Sequence, residues 1–286
     1  MLGLSLALAT GAVTLALLLC WVARTPGPGE LARWAARYEL DLQRGDRPWV
    51  ARELRRGRVL RTLGFAVTFA IGVGIAFWWG GTHHLSPSPP FPLSILGNPA
   101  AWATGYLVGA TAAELTRRRP GAPRVRAAAL VPRRLGDYLP AWMLWIERAV
   151  ALVVLGFTPL AGRTVPGRSP RVDLAIAAGV AAVGIAAMVE VALRSMVGRP
   201  QPVASPDELA VDDALRSTAI HRTAGAGLAA LLFLLGRQLG SSVSRPWEFA
   251  GLVYLLCYGL AIGAWKDLTV PLRWRIRRAY GSGGPA

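Results

Sequence analysis

The chain has 286 residues; 53 % are hydrophobic and only 17 % are charged, with 32 basic and 16 acidic side chains giving a net charge of +16. A soluble protein of this length carries charges on about a quarter of its residues. The low charged fraction therefore excludes an ordinary soluble enzyme, a disordered chain and a disulfide-rich secreted scaffold. Apolar and basic character together favour a polytopic membrane protein whose basic loops lie on one side of the membrane.

The apolar runs predict seven transmembrane helices in a single membrane domain. Residues 1–23 contain no charged side chain, and because no basic residue precedes Arg24 we expect an uncleaved first span rather than a signal peptide. Residues 62–113 are also free of charge, but five prolines in 82–99 divide them into two helices. The predicted spans, each long enough to cross a ~30 Å hydrocarbon core, are about 2–23, 60–80, 99–116, 139–161, 173–194, 218–239 and 247–267.

The distribution of basic residues predicts the orientation of these spans. Of the 32 basic residues, 26 lie in the C-terminal tail or in the segments that join spans one and two, three and four, and five and six; five lie on the opposite side. Positive residues stay on the cytoplasmic side of a membrane. We therefore expect an all-α, multi-pass protein of the cell membrane, with its amino terminus outside and its carboxyl terminus in the cytoplasm.

Two cytoplasmic segments have helical patterns of their own. Residues 24–58 are a basic amphipathic segment, in which Leu31, Trp34 and Tyr38 share one helix face. The aromatic residues of this helix either lie in the headgroup layer, or the segment is a soluble helix packed on a neighbouring loop. Residues 205–208 form a capping box that predicts the start of a helix running into span six, and the acidic residues in its first turns are expected to be solvated.

Charged residues inside the spans are the strongest candidates for a functional site, because an unpaired charge in a bilayer is costly. Glu147 and Arg148 lie deepest, and since adjacent helical residues point about 100° apart, each needs a partner on another helix. We expect a polar cluster formed by Glu114, Glu147, Arg148, Glu190, His221 and Arg222. It is either a water-accessible site for a proton, ion or anionic substrate, with His221 titrating, or a salt-bridge network that fixes the order of the helices.

The sequence contains none of the familiar motifs of catalytic, cofactor or metal sites. Cys20 and Cys257 lie in separate apolar runs, and His83 and His84 have no further ligand nearby. We therefore expect no catalytic residue, no cofactor and no metal.

Small residues favour close packing between helices. Gly105 and Gly109 form a GxxxG motif in span three, and Gly259 and Gly263 form one in span seven. Such faces allow helices to approach closely. They pack within one chain, in a homo-oligomer, or against another membrane subunit.

Three classes of function fit these observations. A transport-related protein, either a carrier or the membrane subunit of an exporter with an ATPase partner, is the favoured class. The alternatives are a non-enzymatic scaffold or regulatory subunit, and a lipid-modifying enzyme. A carrier predicts a water-filled cavity that reaches Arg148, a scaffold predicts a fully packed bundle, and an enzyme predicts His221 and a carboxylate at a lipid-facing groove. The basic face is expected to contact anionic lipids and not nucleic acid.

Overall fold

The computed structural model describes residues 22, 24–42, 45–82, 99–117, 133–161, 172–199, 206–242, 256, 259 and 260. Within these ranges all regular secondary structure is helical. The helices are α1 (Pro28–Arg37), α2 (Arg47–Thr82), α3 (Pro99–Leu115), α4 (Ala141–Ala161), α5 (Val172–Gly198) and α6 (Pro206–Ser242). A short 3₁₀ helix at Leu135–Asp137 precedes α4.

Four of these helices are long and apolar enough to cross a membrane, which indicates a membrane protein. Their membrane-capable parts are Arg47–Ile75, Ala141–Pro159, Ala175–Gly198 and Glu208–Leu239. They confirm the predicted spans two, four, five and six as apolar helices. The 17 residues of α3 cover most of the predicted third span. Almost all of the predicted first and seventh spans lies outside the described residues.

The second and sixth spans are parts of longer helices. The basic residues before the second span belong to α2, which has 36 residues, because Arg, Leu and Glu are good helix formers. The prediction of one helix running from the 205–208 region into span six is confirmed, since α6 is continuous over 37 residues. Both helices therefore carry a charged first part and an apolar second part.

The centre of the bundle is α6. It packs against α3, α4 and α5, while α2 packs mainly against α3. In an apolar stretch of 18 residues within its membrane-capable part, 83 % of the residues are buried, against 17 % in the corresponding stretch of α2. Alanines and leucines of α6, such as Ala226 and Leu231, meet Leu107 of α3, Val154 of α4 and Leu193 of α5 in one core. The small residues allow the three neighbouring helices to approach the same helix closely.

The GxxxG motif of the third span packs inside the chain. A Cβ atom at Gly105 would overlap Thr68 and the carbonyl oxygen of Gly64 on α2. A Cβ atom at Gly109 would lie 2.8 Å from the Cα atom of Arg61. The sequence left open whether this motif packs within one chain, in a homo-oligomer or against another subunit. In the structure it packs within the chain. The second motif lies partly outside the described residues.

The amphipathic segment forms α1, which packs on the first part of α6. Leu31, Trp34 and Tyr38 are buried there in a small apolar cluster with Leu215 of α6. The indole nitrogen of Trp34 donates to Oγ1 of Thr218 at 3.2 Å, and the Tyr38 hydroxyl lies 2.5 Å from the same atom. Protein rather than lipid headgroups thus covers the aromatic face of α1, and the covering element is the helix α6 rather than the loop of the second interpretation.

Candidate functional site

At one end of the bundle, α2, α4 and α6 begin and α3 and α5 terminate. We call this the basic end. A helix ends in carbonyl oxygens that lack intrahelical donors and form the negative end of its dipole. At the end of α5, Nη1 of Arg216 donates to the carbonyl oxygens of Met196, Val197 and Arg199 at 2.8, 3.0 and 3.0 Å. The side chain of Arg216 is only 1 % exposed. It therefore caps α5 from inside the bundle.

The end of α3 is capped in the same way by two other arginines. The guanidinium of Arg199 donates to the carbonyl oxygens of Glu114 and Arg117. From α2, Nη2 of Arg56 donates to the carbonyl oxygen of Ala113 at 3.2 Å. Burial lowers the pKa of Arg199. These contacts join α2, α3 and α5 at the basic end.

Buried carboxylates balance part of this charge. Arg117 lies with Nη1 3.2 Å from Oε1 of Glu114 and forms an ion pair with Asp212 of α6. Asp212 also lies 3.5 Å from Nη2 of Arg216. Burial opposes the charge of Arg117, but Asp212 and Glu114 raise its pKa above the ordinary value, so the guanidinium stays charged. This is a salt-bridge network of the kind that fixes helix order.

A second acidic residue of α6 holds the start of α4. The hydroxyl of Tyr138 donates to Oδ1 of Asp213 at 3.0 Å, and Nε of Arg133 lies 3.7 Å from the same oxygen. Burial and the nearby Asp213 charge raise the pKa of Tyr138, which therefore remains a donor. The expectation that the acidic residues of this helix are solvated was wrong for Asp212 and Asp213, because both are buried against arginines.

Beside this network, a pocket of about 30 Å³ lies between α2, α3 and α6. The enclosed part of this pocket holds about two water-sized groups, and the pocket is partly open, so an oxyanion would enter it with two of its oxygens. Its polar lining consists of Glu53, Arg61, Glu114, Arg117, Thr218 and Arg222.

Two of the three arginines in the pocket lack a carboxylate partner. Glu53 lies 3.3 Å from Nη1 of Arg56, and Glu114 is engaged by Arg117. Within the described part of the chain, neither Arg61 nor Arg222 has a carboxylate oxygen within 4.0 Å. The pocket therefore has an excess of positive charge, and its chemistry suits an anion.

The position of Arg61 is set by two neighbours. Its guanidinium carbon lies 5.7 Å from the centre of the Tyr106 ring, in the range of a cation–π contact. A Cβ atom at Gly57 would lie 2.9 Å from Nη1 of Arg61, so the glycine leaves the space that the guanidinium fills. The residue is only 6 % exposed. Arg61 is thus a buried cation held at the wall of the pocket.

The structure divides the six residues of the predicted cluster among separate places. Glu114 and Arg222 line the pocket. Arg148 forms an ion pair with Glu190 of α5, with Nη2 and Oε2 3.1 Å apart, on the outer face of α4 and α5. Glu147 is buried, and no ion pair among the described residues includes it. Arg148 is not among the residues that line this pocket, so the cavity that a carrier predicts at Arg148 stays a prediction.

His221 is buried in the bundle. It is 1 % exposed, and Nδ1 lies 2.9 Å from the carbonyl oxygen of Ser217, to which it must donate. Its Nε2 has no hydrogen-bond partner among the described residues. The lipid-facing groove with His221 and a carboxylate, expected of a lipid-modifying enzyme, is therefore not present at this residue.

Sequence reasoning missed Arg61 as a pocket residue and Arg216 as the cap of α5. The one-turn spacing of Asp212 and Arg216 did predict that these two charges pair, and they do. Both arginines were counted as part of the basic cytoplasmic segments. The available signal was helical continuity: Gly57 and Arg61 lie one turn apart, as do Asp212 and Arg216. Spacing of this kind shows which residues share a face but not which face is buried.

Among the residues that the structure describes, no three His, Cys, Asp or Glu side chains are grouped to hold a metal ion. No known protein family, curated protein or solved structure matches this chain.

Proposed function

We propose that the chain is a seven-span protein of the cell membrane, with its amino terminus outside and its carboxyl terminus in the cytoplasm. The support is the position of 26 of the 32 basic residues in segments that alternate along the predicted spans. In this orientation the basic end faces the cytoplasm and is in contact with anionic lipid headgroups.

We further infer that the protein is transport-related and that the pocket between α2, α3 and α6 binds a small oxyanion, a carboxylate or a phosphate. The observation that carries this inference is the pair of arginines, Arg61 and Arg222, which line the pocket and have no carboxylate partner among the described residues. Guanidinium groups bind planar or tetrahedral oxyanions through charge-assisted hydrogen bonds, which are about twice as strong as neutral ones.

The surroundings of the pocket explain why an external anion is favoured. The carboxylates of Glu53 and Glu114 are held by Arg56 and Arg117. Because Arg61 is buried, solvent screens the charge of its guanidinium only weakly. An entering oxyanion therefore neutralises a charge that the described part of the chain leaves uncompensated. The protein is either a carrier for this anion or the membrane subunit of an exporter that handles it.

Equilibrium dialysis of the detergent-solubilised full chain, with [32P]phosphate and [14C]acetate as probes, tests this site. We expect saturable binding of at least one probe, reduced about tenfold or more by Arg222→Gln, because one charge-assisted contact contributes on the order of 1.5–3 kcal/mol. The matched control is Arg37→Gln, which removes an exposed charge at the end of α1. Absence of saturable binding, or equal binding by Arg222→Gln and the unaltered chain, would contradict the proposal.

A non-enzymatic scaffold or regulatory subunit is the second candidate. It is favoured by the buried ion-pair network, which fixes the order of helices, and by the dense packing around α6. Purification in mild detergent separates the candidates. Recovery of an ATPase subunit favours the exporter, and a homo-oligomer or lone monomer that binds the probes favours the carrier. A complex with another membrane protein and no probe binding favours the scaffold.

A further inference from the structure

The outer face of α4 and α5 carries three charged side chains that the pocket does not use. Glu190 lies between two arginines: its Oε2 is 3.1 Å from Nη2 of Arg148, and its Oε1 is 2.7 Å from Nη2 of Arg194. The two arginine side chains are 45 % and 73 % exposed. Two cations share one carboxylate, so this open group has a net positive charge.

Tryptophans of α4 lie next to these charges. Trp142 and Trp145 are both largely exposed. The guanidinium carbon of Arg148 lies 5.6 Å from the centre of the Trp145 ring. Trp side chains concentrate at the boundary between hydrocarbon and headgroups, where an apolar ring and a polar edge are both accommodated, and arginines reach the same level from within the membrane.

The length of α5 places the charged group near the boundary of the hydrocarbon, which is shallower than the depth expected for Arg148 from the bounds of span four. Its 27 residues extend for about 40 Å, roughly 10 Å more than the hydrocarbon core. Arg194 lies near the end of this helix and Arg199 follows it, so the excess length lies at the basic end. Glu190 is eight residues before Gly198, about 12 Å along the helix, and is therefore close to the boundary of the hydrocarbon.

Exposed aliphatic side chains continue this face away from the basic end. Leu152 lies one turn beyond Arg148 on α4 and is exposed. On α5, Val183 and Ile176 precede Glu190 by two and four turns, share its side of the helix and are also exposed. The charged group lies near the headgroups, and the exposed aliphatic side chains extend from it toward the centre of the membrane. A phospholipid has the same two parts, a charged headgroup and apolar acyl chains.

We propose that this face binds an anionic phospholipid, with the lipid phosphate between Arg148 and Arg194 and the acyl chains along Leu152 and Val183. The inference rests on the proposed placement in the membrane but not on the anion pocket. A lipid rather than a free phosphate is the occupant because the aliphatic track continues directly from the charged group. Basic sites between transmembrane helices on the cytoplasmic side bind lipid headgroups by the same chemistry.

Native mass spectrometry of the full chain, titrated with phosphatidylglycerol and separately with phosphatidylcholine, tests this site. We expect tighter binding of phosphatidylglycerol, weakened about fivefold by Arg194→Gln, as estimated for one arginine near a charged headgroup. Arg194 is the more exposed arginine, and its replacement leaves the Arg148–Glu190 pair in place. Arg37→Gln is the control and should bind as the unaltered chain does. Equal affinity for both lipids, or no effect of Arg194→Gln, would overturn the proposal.

A second variant distinguishes lipid binding from a purely structural ion pair. Glu190→Gln removes the carboxylate that competes with the lipid phosphate, so phosphatidylglycerol should bind more tightly. A structural pair instead predicts lower thermal stability with no gain in lipid affinity. Arg222→Gln, which disables the pocket, should leave lipid affinity unchanged, and excess inorganic phosphate should not displace the lipid. Loss of lipid binding in Arg222→Gln, or displacement by phosphate, would assign the anion to another site and overturn the inference.

Discussion

At the scale of single residues, the arginines of this chain make different kinds of contact. Arg216 and Arg199 donate to the last carbonyl oxygens of α5 and α3, and Arg117 is paired with carboxylates. Arg61 and Arg222 line the pocket, and no carboxylate in the described ranges is paired with either of them. In the sequence, all of these arginines belong to the basic segments that predict the orientation of the chain in the membrane. Their separation into capping and pocket residues depends on which helix faces are buried.

We expect Arg216→Ala to destabilise the protein strongly. The substitution removes the donor to two carbonyl oxygens of α5 and to that of Arg199, and it takes away one of the two arginines beside Asp212. Breaking a buried ion pair from one side costs about 3–5 kcal/mol. The free energy of unfolding in detergent, measured by denaturant titration, should fall by that amount. Arg194→Ala, at an exposed ion pair, is the control and should change it by about 1 kcal/mol or less; equal effects of the two variants would refute the capping role.

At the scale of elements, the close contact between α2 and α3 depends on the absence of side chains. We expect Gly105→Leu to separate these helices, because its side chain would enter the volume of Thr68 and the Gly64 backbone. Overpacking of this kind costs about 1–3 kcal/mol or more, and it opens the pocket that α2 and α3 enclose. Gly156→Leu is the matched control, since a Cβ atom at Gly156 meets nothing within 4 Å. Thermal unfolding should show a lower midpoint for Gly105→Leu alone, and equal midpoints would contradict this packing.

The docking of α1 is a second property of an element. Trp34 and Tyr38 both contact Thr218, which also lines the pocket, so α1 lies beside the pocket. Burial raises the pKa of Tyr38, which keeps its hydroxyl neutral. We expect Trp34→Ala to release α1, since truncating a buried tryptophan costs about 3–5 kcal/mol. Limited trypsin digestion should then cleave faster at Arg33 and Arg37. Glu39→Ala is the control at an exposed position, and equal cleavage rates would refute the docking.

At the scale of the whole molecule, hydropathy predicted the four membrane-capable helices that the structure describes, because each span must satisfy its own backbone and be apolar over its length. The sequence also limited the expected partners of Arg148 to acidic or polar residues that lie at a similar depth in the membrane. It did not predict the pocket, because helix spacing alone cannot show that Arg61 turns inward beside Gly57. Nor did it predict that Asp212 is buried, since its position near a helix start suggested solvent.

The proposed orientation of the whole chain can be measured directly. In a background with Cys20→Ala and Cys257→Ala, we introduce Ser86→Cys or Ser282→Cys, in the segments predicted to be external and cytoplasmic. A membrane-impermeant maleimide added to intact cells should label Ser86→Cys, while Ser282→Cys should react only after permeabilisation. The reverse pattern, or labelling of both in intact cells, would contradict the seven-span orientation.

The most direct test of the central claim is uptake by liposomes that contain the purified full chain, with [32P]phosphate and [14C]acetate as probes. The account predicts uptake of at least one probe above that of protein-free liposomes, lost in Arg222→Gln and retained in Arg37→Gln. Uptake no greater than in protein-free liposomes, or uptake that Arg222→Gln leaves unchanged, would contradict a transport role for the pocket of Arg61 and Arg222.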